Sequence, residues 1–170
     1  MRAIRSLTYL VVSILAACSP TAAMDEQPFP VAVVFAYFGN VHAIHSLCYR
    51  YSYGVDGAPK NYEDALYWCE TGASQGHPAS LTLLAELYYL GNGVKKNLET
   101  ARAIYEQAAS TGFPHAQTVL AQMYWNGEGG PVDHNKAKHY FGLAAEHGYA
   151  PAVKAKLQIE RAESQAKDSN

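Results

Sequence analysis

Residues 80–112 read SLTLLAELYYLGNGVKKNLETARAIYEQAASTG, and residues 116–148 read AQTVLAQMYWNGEGGPVDHNKAKHYFGLAAEHG. The two segments align without a gap at a shift of 36 residues. Small residues, a leucine, a tyrosine and glycines recur at the same places in both. A fixed internal period of this length is the signature of a repeat protein, in which each unit packs mainly against its neighbours.

The period extends to a third, earlier unit. Four columns with a spacing of 36 residues are Ala65, Ala101 and Ala137; Trp68, Ile104 and Tyr140; Ala73, Ala109 and Ala145; and Gly76, Gly112 and Gly148. A second set aligns Ala43, Leu47, Cys48, Tyr51 and Gly54 with Ser80, Leu84, Ala85, Tyr88 and Gly91, and with Ala116, Leu120, Ala121, Tyr124 and Gly127. The first unit has one extra residue between its two halves, so its turn is longer.

Each unit has the pattern of two helices joined by a turn. Apolar residues of the first half fall at i, i+4 and i+8, which is one stripe of a helix. Glycine and proline then interrupt the pattern, at 91–93 and at 127–131, because they favour turns over helix interiors. The glycines at 76, 112 and 148 stand where a left-handed residue closes the second helix.

These residues resemble the Sel1-like repeat, a relative of the tetratricopeptide repeat with the motif A-x3-L-G/A-x2-Y-x2-G-x-G-V followed by K-A-x2-W/Y-Y-x-x-A-A-x-x-G. The resemblance covers about two-thirds of the chain. It implies an all-α fold, a right-handed α-solenoid of about three helical hairpins, with units at about 43–78, 79–114 and 115–150.

Half-repeats are expected at both ends of the solenoid. Residues 29–42 copy the second helix of a unit, and residues 151–162 copy a first helix with a polar outer side, as a terminal cap requires. The repeat domain therefore spans 29–162. Residues 163–170 lack an apolar stripe, and we expect them to be a disordered tail.

The first residues have the pattern of an export signal. Arg2 and Arg5 precede an apolar run that ends at Ala17, too short for a permanent transmembrane helix. Leu15-Ala16-Ala17-Cys18 resembles a bacterial lipobox, which predicts a signal peptide at 1–17, lipidation of Cys18 and a tether at 18–28. Ser19 then favours the outer membrane. The alternative is cleavage after Ala23, which would give a soluble periplasmic or secreted protein.

Cys48 and Cys69 remain as a pair after cleavage, one on each helix of the first hairpin. In an oxidising compartment an even pair favours a disulfide. The alternative is two free thiols that fill small buried positions, as Ala85 and Ala121 do in the Cys48 column.

Composition and motifs argue against several kinds of chemistry. With 13 basic and 15 acidic residues, and a formal net charge of −2, the chain gives no reason to expect nucleic acid. Its seven histidines are dispersed and lack a metal-ligand spacing, so we expect no metal and no cofactor. No nucleophile motif or phosphate-binding loop is present, so we predict that the chain is not an enzyme.

The concave face of such a solenoid, lined by the first helices, is the predicted binding surface. Its candidate residues combine aromatic rings with amide, hydroxyl and carboxylate groups: His45, Tyr49, Tyr53, Thr82, Glu86, Tyr89, His115, Thr118, Gln122, Trp125 and Asn126. Such a lining suits an extended peptide or a glycan, because rings stack while polar groups satisfy hydrogen bonds. Tyr89 and Trp125 can instead pack against neighbouring hairpins, and both roles are compatible.

Together these features predict a scaffold that binds another envelope protein or a peptide while anchored to a membrane by lipid. The alternatives are a peptidoglycan-binding or glycan-binding envelope protein, and a weak β-lactamase-like cell-wall hydrolase. Partner identity and oligomeric state stay open, because a solenoid specifies a framework and its exposed side chains specify the ligand.

Overall fold

The structure is a computed structural model that describes residues 29–168, and over this range it contains helices and no strands. Its helices are α1 Phe29–Tyr37, α2 Val41–Tyr53, α3 Tyr62–Ser74, α4 Pro78–Leu90, α5 Leu98–Ser110, α6 Pro114–Asn126, α7 His134–Glu146 and α8 Ala150–Asp168. The all-α prediction is confirmed. The predicted signal peptide, the tether and the lipidation site at Cys18 lie outside the described residues.

The six helices from α2 to α7 are each 13 residues long, because similar residues begin and end them. The second helices of the hairpins start after a polar cap whose side chain accepts backbone N–H bonds: Asn61, Asn97 and Asp133. After each second helix comes a glycine with φ between +71° and +85°, at 76, 112 and 148. The expected left-handed residues are therefore present.

The helices stack in chain order to form the solenoid. Each one packs against the next, and α2 also contacts α4 across hairpins. The alanines at 65, 101 and 137 are fully buried, which lets the two helices of each hairpin approach closely. Leu47 and Leu120 are fully buried as well, and Leu84 is nearly so, which gives each hairpin the same leucine in its core.

A disulfide joins Cys48 on α2 to Cys69 on α3, so the bridge predicted for the first hairpin is confirmed. Cys48 occupies the alanine column, as expected. Cys69 occupies the column of Tyr105 and Phe141, each of which shares a core cluster with the alanine of its own hairpin. The bridge therefore stands where the other two hairpins place an aromatic ring against an alanine.

The last helix extends beyond the predicted end of the repeat domain at residue 162. Because α8 runs to Asp168, the prediction of a disordered tail at 163–170 is wrong for residues 163–168. Lys138 on α7 forms an ion pair with Glu163 on this part of α8. Alanine, glutamate, glutamine and lysine also have high helix propensity, so the segment needs no apolar stripe to continue the helix.

Candidate binding groove

The candidate site residues come from the first helices of three consecutive hairpins. α2 carries His45, Tyr49 and Tyr53, α4 carries Thr82, Glu86 and Tyr89, and α6 carries His115, Thr118, Gln122, Trp125 and Asn126. Residues three or four apart lie on one face of a helix, so each helix presents its candidates in a row.

Six of these residues line one cavity of about 430 Å³, which we call the first cavity. They are Tyr53, Glu86, Tyr89, His115, Gln122 and Asn126. The rest of the described lining comes from Leu90, Tyr105, Val119, Met123 and Glu128. Residues that are up to 73 positions apart, such as Tyr53 and Asn126, thus meet in one site because the hairpins stack.

Two tyrosine–glutamate hydrogen bonds connect successive hairpins along the first cavity. The Tyr53 hydroxyl donates to both carboxylate oxygens of Glu86, at 3.0 Å each. The Tyr89 hydroxyl donates to Glu128 Oε2 at 3.0 Å, and Asn126 Nδ2 donates to Glu128 Oε1 at 3.3 Å. Both carboxylates are thereby fixed in the groove, and the described lining of this cavity contains no lysine or arginine.

The phenols of the first cavity keep their protons well above neutral pH. Burial, followed by the charge of Glu86, raises the pKa of Tyr53 and also that of Tyr105 above the ordinary value of 10.0. The hydrogen bond to Glu128 is the main cause that raises the pKa of Tyr89. The tyrosines therefore remain neutral donors, and the negative charge of the cavity belongs to its two glutamates.

A second cavity, of about 550 Å³, lies next to the first. Gln122 and Asn126 line both, and Trp125 lines the second. The remaining described residues around it come from α7 and α8: His134, Lys138, Phe141, Ala155, Gln158, Ile159, Ala162, Glu163 and Ala166. The Trp125 ring lies 4.4 Å from that of His134, measured between centroids. We call the two cavities together the groove.

Four predicted residues do not line the groove. Thr82 and Thr118 are 3% and 4% exposed, and their hydroxyls donate to the carbonyls of Pro78 and Pro114 one helical turn earlier. Their predicted place on the exposed lining is therefore wrong, since these side chains face the packed side of their helices.

The other two, His45 and Tyr49, are accessible but lie outside the lining of either cavity. The His45 ring lies 5.0 Å from that of His77, and the Tyr49 ring lies 4.8 Å from that of Tyr53. Tyr49 is 46% exposed and extends the surface beside Tyr53 towards the first hairpin. Its role in binding stays a prediction.

Tyr105 and Phe141 are groove residues that the sequence argument missed. Both belong to second helices, and both are only 4% exposed, yet Tyr105 lines the first cavity and Phe141 the second. The sequence does show that Tyr105 and Phe141 occupy the same position in successive repeats, 36 residues apart, and this was the available signal that both are core rings. Since Cys69 fills the same column in the first hairpin, the bridge stands there in place of a ring.

Tyr89 and Trp125 combine core packing with a place on a cavity wall. Each is partly buried and packs against the core cluster that the second and third hairpins share. Each also lines a cavity, Tyr89 the first and Trp125 the second. Packing against the core holds each ring in position, and the role of these rings in binding stays a prediction.

Residues 29–168 contain neither a metal-binding cluster nor a membrane-spanning helix. No group of three or more histidine, cysteine, aspartate or glutamate side chains is arranged there to hold a metal ion. Within the same range, none of the helices has the length and hydrophobicity needed to cross a membrane. The described residues form a groove lined by aromatic rings, amides and carboxylates.

The repeat architecture corresponds to a known class of proteins. The family model for the Sel1 repeat matches three consecutive segments, residues 41–77, 78–113 and 114–149. The chain therefore belongs to the Sel1 repeat family, whose members are generally non-catalytic scaffolds for protein–protein interaction. The matched segments begin one or two residues before the units counted from the sequence columns.

Two solved structures are similar in sequence as well as in fold. A Sel1 repeat protein from Oxalobacter formigenes is 32% identical with a TM-score of 0.68, over 72% of this chain and 92% of that one. A protective antigen present in uropathogenic Escherichia coli strains is 31% identical with a TM-score of 0.70, over 75% of this chain and 27% of that one.

Two further similarities are more distant. Cysteine rich protein B of Helicobacter pylori shares the fold alone, at 17% identity and a TM-score of 0.62, over 76% of this chain and 98% of that one. The ERAD-associated E3 ubiquitin-protein ligase component HRD3A of Arabidopsis thaliana is 28% identical over 67 residues, 39% of this chain. The match covers about 10% of that much longer relative.

Proposed function

We propose that this chain is a non-catalytic scaffold of the bacterial envelope, which holds an extended segment of another envelope protein, or a peptide, in the groove. The observation that carries the proposal is the groove itself, because three consecutive hairpins contribute side chains to it. Rings held by the core, fixed carboxylates and amides at its edge provide both apolar contact and hydrogen bonding to a peptide backbone.

The proposed place of action is the periplasmic side of a membrane, the outer membrane in a Gram-negative host, with a lipid anchor on Cys18. The Cys48–Cys69 bridge supports export, since disulfides persist in oxidising compartments. Mass spectrometry of the mature protein tests the anchor. An acylated N-terminus at Cys18 is expected, and an unmodified N-terminus at Met24 would overturn it.

The binding face can be tested by placing a photo-crosslinking amino acid at either of two exposed glutamines. Gln122 lines the groove, and Gln107 lies on a second helix outside both cavities. In cells that make the full chain, we expect a specific protein adduct from position 122 and none from position 107. The substitution Tyr89→Ala should reduce that adduct.

Equal adducts from both positions, or an adduct insensitive to Tyr89→Ala, would refute binding through the groove. The non-catalytic part has its own test, which is incubation of the purified protein with a chromogenic β-lactam. Turnover above that of a heat-denatured sample, reduced by a groove substitution, would favour the hydrolase alternative.

A further inference from the structure

The two halves of the groove differ in chemistry. The first cavity contains two fixed glutamates, Glu86 and Glu128, and its described lining has no lysine or arginine. Half of the residues that line the second cavity are apolar, of which Trp125, Phe141 and Ile159 are the largest, and the other half are polar. Gln122 and Asn126 line both cavities, so the acidic half and the second half of the groove lie side by side.

The carboxylates of the first cavity have capacity for a cationic ligand. An ionised carboxylate has about four acceptor positions, and Glu86 and Glu128 each use two of them for the hydrogen bonds described above. The donors are neutral phenols and an amide, so neither charge is neutralised by them. A lysine or arginine side chain entering this cavity would add a positive charge and further donors, beside Lys60, which shares a smaller cavity with Glu86, and Lys96, whose Nζ lies 5.7 Å from the centre of the Tyr89 ring.

The second cavity has space for a bulky apolar side chain, next to the acidic first cavity. The small side chains of Ala155, Ala162 and Ala166 on α8 leave the space between that helix and Phe141 open. The cations and anions near it are already engaged, since Lys138 and Glu163 form an ion pair at its edge. A bulky apolar side chain that enters the cavity removes its own surface and that of Trp125 from water.

We propose, building on the peptide-binding function above, that the groove selects a segment of its partner in which a lysine or arginine and a bulky apolar residue are closely spaced. Charge complementarity at the two glutamates and the apolar side chains of the adjoining cavity favour this occupant. An extended chain advances about 3.3 Å per residue, so side chains two to four positions apart span about 7–13 Å.

Synthetic peptides of about ten residues in a serine–glycine host test this selectivity by calorimetric titration of the full chain. One set carries arginine and phenylalanine at separations of two, three and four residues, in both orders. Matched sets replace the arginine by glutamate or the phenylalanine by serine. We expect at least one arginine–phenylalanine peptide to bind about tenfold or more tightly than both of its matched peptides.

Variants assign each preference to its cavity. The double substitution Glu86→Gln and Glu128→Gln should weaken the arginine peptide about tenfold while leaving its serine-substituted counterpart unchanged, and Glu70→Gln, outside the groove, is the matched control. Ala162→Phe fills the apolar cavity and should weaken only peptides that contain phenylalanine. Arg161→Phe adds the same ring to a neighbouring exposed position outside the cavity lining and should have no effect.

The outcomes separate this inference from the function on which it rests. Absence of any arginine–phenylalanine preference, or a preference that the groove variants leave intact, overturns the inference. If the crosslink from Gln122 is nevertheless present and sensitive to Tyr89→Ala, the groove binds a partner of different chemistry and the proposed function stands. Circular dichroism of each variant separates loss of binding from loss of fold.

Discussion

The disulfide of the first hairpin gives the sharpest stability prediction. Replacing both cysteines, in the variant Cys48→Ala/Cys69→Ala, removes a crosslink between residues separated by 21 positions. The chain-entropy model assigns about 3 kcal/mol to a closed loop of this length. We expect the variant to lose about this amount of its free energy of unfolding, with the first hairpin becoming the least stable part of the solenoid.

A second variant separates the crosslink from the packing. Cys48→Ala/Cys69→Phe creates in the first hairpin the alanine–phenylalanine pair that Ala121 and Phe141 form in the third. Burying a phenylalanine side chain contributes about 1.5–3 kcal/mol, so this variant should recover half or more of the loss without any covalent bond. Recovery would show that the bridge and the ring are interchangeable solutions to one packing position.

Urea unfolding followed by far-ultraviolet circular dichroism measures all three proteins. A reducing agent provides the control, because it should shift the midpoint of the wild-type protein towards that of the double-alanine variant and leave both variants unchanged. If the double-alanine variant unfolds at the same midpoint as the oxidised wild-type protein, the bridge contributes no stability and the loop-closure argument fails.

Two other predictions concern the core and the buried phenols. Leu120 is fully buried and Leu157 is 46% exposed, so Leu120→Ala should cost about 2–5 kcal/mol and Leu157→Ala less than about 0.5 kcal/mol; equal urea midpoints would contradict the described core. Burial and Glu86 raise the pKa of Tyr105, so the folded chain keeps a proton that the unfolded chain releases above pH 10. Stability from this group is complete below about pH 10 and is lost as the pH rises further. The free energy of unfolding should therefore differ less between about pH 9 and pH 11 in Tyr105→Phe than in the wild-type protein. If the variant shows the same difference, ionisation of Tyr105 does not cause the loss of stability.

Periodicity was sufficient to predict the fold. Alanine, leucine and glycine recur at fixed positions of the repeat because buried contacts and left-handed turns admit few residue types. These recurring residues therefore indicate how the hairpins pack. The bridge was predictable as well, since Cys48 and Cys69 lie on the two helices of one hairpin. The end of α8 was not, because residues 163–168 lack an apolar stripe and their helical residues give no boundary signal.

The candidate site was predictable only where exposure follows from helical spacing. Glu86, Tyr89 and Gln122 were found because they lie on the open face of a first helix. Thr82 was misplaced because a threonine hydroxyl can satisfy its own helix and turn inward. Tyr105 was missed because its repeat position signals a buried ring and does not tell whether that ring also borders a cavity.

One position of the repeat holds Cys69 in the first hairpin, Tyr105 in the second and Phe141 in the third. The hairpins therefore differ in side-chain chemistry although their backbones repeat. Identical hairpins would offer a bound segment several equivalent alignments, each displaced by one hairpin and equal in free energy. Here the same position holds half of a disulfide, a phenol beside two carboxylates and a ring in an apolar cavity. A segment shifted by one hairpin would exchange these environments, so a repetitive framework presents a surface with a single preferred alignment.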